Sequence, residues 1–303
     1  MIKPAVIRWY LYALYLRVRR ARDRWLRPKT RDAVDANLAH TLFARHEGIA
    51  ASLSQARRLA NHEFKVYSQN GEDGLIAWIF SQIGVTNRRF VEFGVGDGRQ
   101  CNTANLVIHF GWSGLMLEAR PSDVRKAASH YARFRCEDGR PTVTVSECRV
   151  TVDNIEEAIG GAGITGEIDL LSIDIDGNDY WIWEAIDIVR PRVVVIEYNG
   201  SFGRRSITVP YDPGFVRFRK HRSGWYHGAS LAALAKLGRR KGYDLVGTDR
   251  AGVNAFFIEA TIPKGELKPV DPEEAYRPQR KRIAVATEEE QFAAIEHLPL
   301  VEV

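Results

Sequence analysis

From about residue 61 onward, short apolar runs alternate with stretches of 3.6-residue periodicity. The runs at 89–93, 114–119, 142–146, 168–175 and 192–199 are rich in Val, Ile, Leu and Phe and show little polar alternation. That texture suits strands buried on both faces of a parallel sheet. Between them, helical spacing covers about 101–110, 121–134, 153–160 and 179–189, with a further helix at about 71–83 ahead of the first strand. A helix at 231–241 and strands at 243–247 and 255–258 close the pattern. The last two strands flank a short polar turn, Asp249-Arg250-Ala251-Gly252, and read as a hairpin that gives the sheet an antiparallel edge. Strand–helix alternation of this kind predicts an α/β, doubly wound, mostly parallel sheet of the Rossmann-like class.

The flanks differ. Residues 1–60 carry helical periodicity, with Arg17, Arg20, Arg24, Arg27 and Arg31 on one face and Leu11, Leu14, Val18, Ala21 and Trp25 on another. Two uses fit this basic amphipathic extension. One is peripheral contact with an anionic membrane through residues 1–30; the other is packing on the domain or on a second copy in a homo-oligomer. The tail at 263–303 is punctuated by Pro263, Pro269, Pro272 and Pro278 and reads as extended. A short helix is expected to start at Thr287, which can form a capping box with Glu290. The domain proper is therefore 61–262.

Charge and composition narrow the classes. The net charge of +5 suggests nucleic acid, but the excess lies near the N-terminus, away from the sheet. Three cysteines, Cys101, Cys136 and Cys148, form no CxxC pair, as expected of a reducing, cytoplasmic compartment. The most apolar N-terminal run, 5–16, contains Arg8 and is too short to span a bilayer, which needs about 18–20 residues.

Three clusters carry chemistry. The segment "FVEFGVGDGRQCNT" (90–103) runs from strand through a glycine turn into a helix, with Glu92 ahead of Gly94, Gly96 and Gly98. The spacing is GxGxG, and an acid at the strand end suits a ligand bearing a sulfonium and an ammonium better than a pyrophosphate. Glu118 ends the next strand, twenty residues after Gly98, where an acid binds ribose hydroxyls. The fourth strand, at 168–175, ends in Asp174, Asp176, Asn178 and Asp179, and the following one in Glu197, Tyr198 and Asn199. If the two strands are neighbours, these oxygens converge at the carboxyl edge. Asp174, Glu197 and Asn199 would then suit a hard cation such as Mg²⁺ or Mn²⁺. Hydrogen bonds to backbone amides are the alternative use of the same side chains.

These motifs, with "YSQNGEDG" (67–74), "LMLEA" (115–119), "LLSIDIDGNDY" (170–180) and "VVVIEYN" (193–199), resemble the FkbM-like class I S-adenosylmethionine-dependent methyltransferases. The resemblance implies a seven-stranded sheet with its final strand antiparallel, and methyl transfer to oxygen on a sugar, glycan or related natural product. By position, Glu92, Gly94, Gly96 and Gly98 would cradle the methionine part, Asp174 would join the cofactor site, and Glu118 would hold the ribose. The 172–180 stretch is also similar to the metal site of the catechol and caffeoyl-CoA O-methyltransferases. There Asp174 matches the first ligand, an Asp-Asn pair is replaced by Glu197-Tyr198-Asn199, and a proton-transfer lysine is replaced by Gly177.

A base is then needed. His227, in the loop before the 231–241 helix, has the right ordinary pKa; Asp176 competes with it. The loop 202–222, with six basic residues and several aromatics, lies where a lid over the acceptor belongs. Two rival readings use the same sheet: an NAD-dependent oxidoreductase, and a non-catalytic scaffold. A nucleic-acid amino-methylator is disfavoured by the lack of an Asn/Asp-Pro-Pro-aromatic motif.

Overall fold

The computed structural model describes residues 59–136, 139 and 141–303. The N-terminal basic helix, and with it the expected membrane or partner contact, lies outside the described residues. Helix α1 (Glu72–Ile83) precedes β1 (Arg89–Phe93), and α2 (Ala104–Phe110), β2 (Ser113–Glu118), α3 (Pro121–Tyr131), β3 (Val143–Glu147), α4 (Ile155–Gly161), β4 (Gly166–Ile173), α5 (Asp179–Ala185) and β5 (Val189–Glu197) follow in alternation. After a 3₁₀ turn at Gly200–Phe202 come β6 (Ile207–Thr208), α6 (Arg217–Lys220), α7 (Leu231–Arg240), β7 (Tyr243–Thr248) and β8 (Asn254–Glu259).

Seven strands form one sheet in the order β3-β2-β1-β4-β5-β8-β7. The reversal of winding between β1 and β4 opens a crevice at their carboxyl ends, the place where α/β sheets bind ligands. The expected β7–β8 hairpin closes one edge of the sheet, and the last of the seven strands in chain order, β8, is antiparallel as the resemblance implies. β8 inserts antiparallel between β5 and β7, so the edge strand β7 runs parallel to the rest. β4 and β5 are neighbours in register from Gly166↔Val189 to Ile173↔Ile196, which brings their two acidic ends together.

Each face of the sheet is apolar because both are covered. Val91, Leu171, Val194 and Phe257 pack on one side under Trp183 and Leu234; Phe90, Leu170, Val193 and Phe256 pack on the other under Ile76 and Ile79. Alternation of side-chain direction along each strand splits consecutive residues between these two cores.

The C-terminal tail is not an extended appendage. Three short helices, α8 (Pro272–Ala275), α9 (Arg280–Ile283) and α10 (Glu288–Ala293), lead to β9 (Val301–Glu302), which pairs antiparallel with β6. The Thr287–Glu290 capping box is formed at α10. Prolines stop long helices, but here short helical turns between them close a third apolar cluster with Phe202, Ile207, Trp225 and Tyr226. No helix among the described residues is long and apolar enough to cross a membrane.

Candidate active site

The turn after β1 uses its three glycines for three different reasons. A Cβ on Gly94 would lie 1.7 Å from the Asp174 carbonyl oxygen, so this glycine lets β1 and β4 close up. A Cβ on Gly98 would meet Tyr131 at 2.8 Å and Ala127 at 3.0 Å, so this one seats α3. Gly96 alone, at φ 57°, faces open space, with nothing within 4 Å of its Cβ position. Gly98 is buried, whereas Gly94 and Gly96 keep solvent access, so a ligand can approach the backbone there.

The two acids of the cofactor expectation separate in the same way. Glu92 is buried and accepts from the Asn102 N–H at 2.7 Å, the Thr103 N–H at 3.0 Å, the Thr103 hydroxyl and the Ser172 hydroxyl at 3.2 Å. Four donors fill both oxygens, so Glu92 anchors the start of α2; the expected direct contact with the methionine part is not available to it. Glu118 holds the glycine turn from the next strand: one oxygen accepts from the Gly96 N–H at 2.8 Å, the other from the Arg120 N–H at 2.9 Å. The second oxygen also accepts from Arg120 Nε at 3.4 Å, so the oxygen on the Gly96 N–H is the one with a lone pair left, beside the open Gly96 position.

Along the crevice, Asp174, Asp176 and Glu197 present oxygens within 4.8 Å of one another. Asp176 holds a left-handed φ of 60°, a conformation rarely taken by a residue other than glycine. The turn is fixed from behind by Asp179, whose carboxylate accepts from the Ile175 and Gly177 N–H groups, both at 2.9 Å. Gly177 has no room for a side chain, since a Cβ there would lie 2.3 Å from the Phe215 ring of the loop above. This explains why a lysine cannot occupy that position.

Arg217, from α6 in that loop, turns inward. Its Nε donates to the Gly224 carbonyl at 2.8 Å, and its Nη1 pairs with Asp176 and lies 3.8 Å from Glu197. Burial, then the charges of Glu197, Asp176 and Asp179, push the Asp174 carboxyl well above the usual carboxylate range, with Arg217 opposing. Burial likewise pushes Glu197 up to about 7, against Arg217 and Arg282. Like charges crowded in a low-dielectric crevice resist ionising together.

Two expected residues are corrected here. Asn199 is fully buried; its Oδ1 accepts from the Ser201 N–H at 3.0 Å and Arg282 Nη1 at 2.6 Å, and its Nδ2 donates to the Trp225 and His227 carbonyls. No oxygen is left for a cation. Asp176 takes the third place in the cluster, but Arg217 already supplies positive charge to Asp176 and Glu197, so the donor set does not fit a resident divalent ion. His227 is the second correction. It is buried, and its Nε2 lies 2.7 Å from Arg282 Nη2. A guanidinium only donates, so Nε2 must accept, and the ring has no lone pair to offer an acceptor hydroxyl. Burial, with Arg217 and Arg282 nearby, holds its pKa well below the ordinary value.

Arg217 and Arg282 were not singled out by sequence reasoning. Arg217 is one of six basic residues in the 202–222 loop, and Arg282 lies in the run Arg280-Lys281-Arg282, where nothing in the local pattern marks one arginine for burial. In the "YSQNGEDG" segment, Asp73 Oδ2 accepts from the N–H groups of Val66, Tyr67 and Ser68, each at 2.8 Å, and Gln69 is exposed. The acid there ties the approach to α1.

A model of the methyltransferase FkbM domain matches residues 60–244. Among solved structures, the chain is similar to the N-terminal domain of EvdMO1 with S-adenosylhomocysteine bound, at 15% identity and TM-score 0.40, over 67% of this chain and 92% of that one. It is also similar to the O-methyltransferase from Bacillus cereus in complex with S-adenosylhomocysteine, at 16% identity and TM-score 0.41, over 77% and 91% of the two chains. None of the curated proteins compared matches. The structural likenesses are distant, whereas the family match spans more than half of the 303 residues and contains both the glycine turn and the acidic crevice. The chain belongs to the FkbM family of S-adenosylmethionine-dependent methyltransferases.

Proposed function

We propose that this protein transfers a methyl group from S-adenosylmethionine to a hydroxyl oxygen of a sugar, glycan or related natural-product acceptor, with Asp174 as the base. The observation that carries the reading is the placement of Asp174. It is partly exposed, lies at the end of β4 against the glycine turn, and has its carboxyl pushed up by burial and three neighbouring carboxylates. A carboxylate of raised pKa is a competent acceptor of an alcohol proton as the oxygen becomes nucleophilic.

Bound adenosylmethionine supplies a methyl group on a sulfonium, whose leaving group is a neutral thioether. Gly96 leaves the backbone open, and Glu118, bonded to the Gly96 N–H, would hold the ribose hydroxyls. Asp174 takes the acceptor proton and becomes neutral, while Arg217 stays paired with Asp176 and close to Glu197. Positioning accounts for much of the remaining rate, because the methyl donor is already activated. With Arg217 in place, we read the reaction as independent of a divalent ion. The choice of a sugar-type acceptor rests on the family and on the polar mouth of the crevice.

Calorimetric titration with adenosylmethionine and adenosylhomocysteine tests the cofactor. Binding on the order of 1–100 µM is expected, lost in Glu118→Ala and unchanged by Mg²⁺ or Mn²⁺. No binding to either compound would sink the reading and leave the scaffold. A gain of affinity or activity with metal would restore the cation to the Asp174–Glu197 cluster.

A further inference from the structure

The family match ends at residue 244, yet a residue far beyond it reaches the core of the crevice. Arg282 is 2% exposed and donates to Asn199 Oδ1 at 2.6 Å, Ser201 Oγ at 2.9 Å and His227 Nε2 at 2.7 Å. All three are neutral acceptors. Burying a guanidinium against neutral partners is unfavourable for the fold alone, and an apolar side chain of similar volume serves packing better. On the far side of His227, Nδ1 lies 3.7 Å from Glu197 Oε2, and neither atom has a hydrogen-bond partner among the described residues.

We propose that Arg282, carried by the C-terminal segment, is a positioning residue that fixes the ring tautomer of His227 and so presents Nδ1–H to Glu197 at the catalytic edge. The chain of contacts runs Arg282, His227, Glu197, then Asp174. Because Arg282 holds Nε2 as an acceptor, the single ring proton sits on Nδ1, the nitrogen nearest the Glu197 carboxylate. The charged and titratable groups facing this relay are Arg217 from α6, Asp176 from the turn after β4, Asp179 at the start of α5, and Tyr276 from the tail. Arg217 grips Glu197 from the mouth while His227 faces it from the interior, so the carboxylate is held between the two.

The tail is anchored for this purpose at several points. The Tyr276 hydroxyl donates to the Gly200 carbonyl at 2.9 Å, the Arg280 N–H donates to the Ala251 carbonyl at 2.9 Å, and Ser201 Oγ donates to Gln291 Oε1 at 2.7 Å. The inference rests on the reading of the 174–197 edge as the acceptor site, so its test uses a readout independent of methyl transfer.

That readout is the ¹⁵N spectrum of histidine-labelled protein, with His227 assigned from His227→Gln. Wild type is expected to show His227 neutral at pH 7, protonated on Nδ1 and bare on Nε2. Arg282→Lys, whose ammonium also only donates, should keep this tautomer. Arg282→Met should release it and lower kcat by about 10–100-fold while the KM for adenosylmethionine changes less than about threefold. A wild-type His227 protonated on Nε2, or an unchanged tautomer in folded Arg282→Met, overturns the proposal. If Arg282→Met fails to fold, the wild-type tautomer and its retention in Arg282→Lys decide. A protein that binds no adenosylmethionine but shows the Nδ1 tautomer would fail the functional reading while leaving the relay intact.

Discussion

At the scale of single residues, chemically identical glycines carry unequal weight. Gly94→Ala drives a methyl group into the Asp174 carbonyl from a φ of 73° and should cost about 3 kcal/mol in denaturant unfolding. Gly96→Ala meets no atom and should cost only about 1 kcal/mol for its positive φ, yet weaken adenosylmethionine binding by calorimetry. If the two variants lose stability equally, the division of roles in the turn is wrong. At the base, Asp174→Asn should lower kcat by roughly 100-fold or more with cofactor affinity nearly unchanged. The wild-type rate should rise with pH above the usual carboxylate range, because Asp174 must ionise to act and its pKa is raised. A rate already flat through weakly acidic pH would move the base elsewhere.

At the scale of elements, the carboxyl edge of the sheet concentrates buried acids. Burial pushes Asp179 to about 6, Glu197 to about 7 and, in the β7–β8 turn, Asp249 to about 8. In an unfolded chain such groups titrate near 4, so the folded protein binds more protons between about pH 4 and 8. These groups therefore contribute stability that is fully present below about pH 4 and is lost as pH rises through their folded values. Asp249→Asn should flatten the decline between about pH 7 and 8, measured by urea unfolding at stepped pH. An unchanged slope would mean that Asp249 titrates as an ordinary carboxylate.

At the scale of the whole molecule, the tail completes the fold as well as the crevice. Deleting 272–303 removes β9 and Arg282 and uncovers Phe202, Trp225 and Tyr226. The melting temperature should fall by about 10 °C or more, or cooperative unfolding should disappear. A shift within about 2 °C would show that the third cluster adds little.

How far the sequence alone reaches follows from the range of the forces involved. The strands 89–93 and 243–247, the hairpin, the glycine turn and the Thr287 capping box are local or periodic features, written in neighbouring residues, and they were legible. So was the convergence of Asp174 with Glu197, because parallel neighbours end at the same edge. The insertion of β8 inside the sheet depends on strand order, which no local pattern encodes. Whether Glu92 and Asn199 face a ligand depends on which distant donors fill their oxygens first. Arg282 carries no local signal of burial, since a side chain's burial is decided by what packs around it, here residues such as Asn199 some eighty positions away. The sequence determined the sheet, the turn and the acids; only the tertiary structure decided which acids remain free to react, because hydrogen-bond capacity is consumed by whichever donors the fold brings within reach.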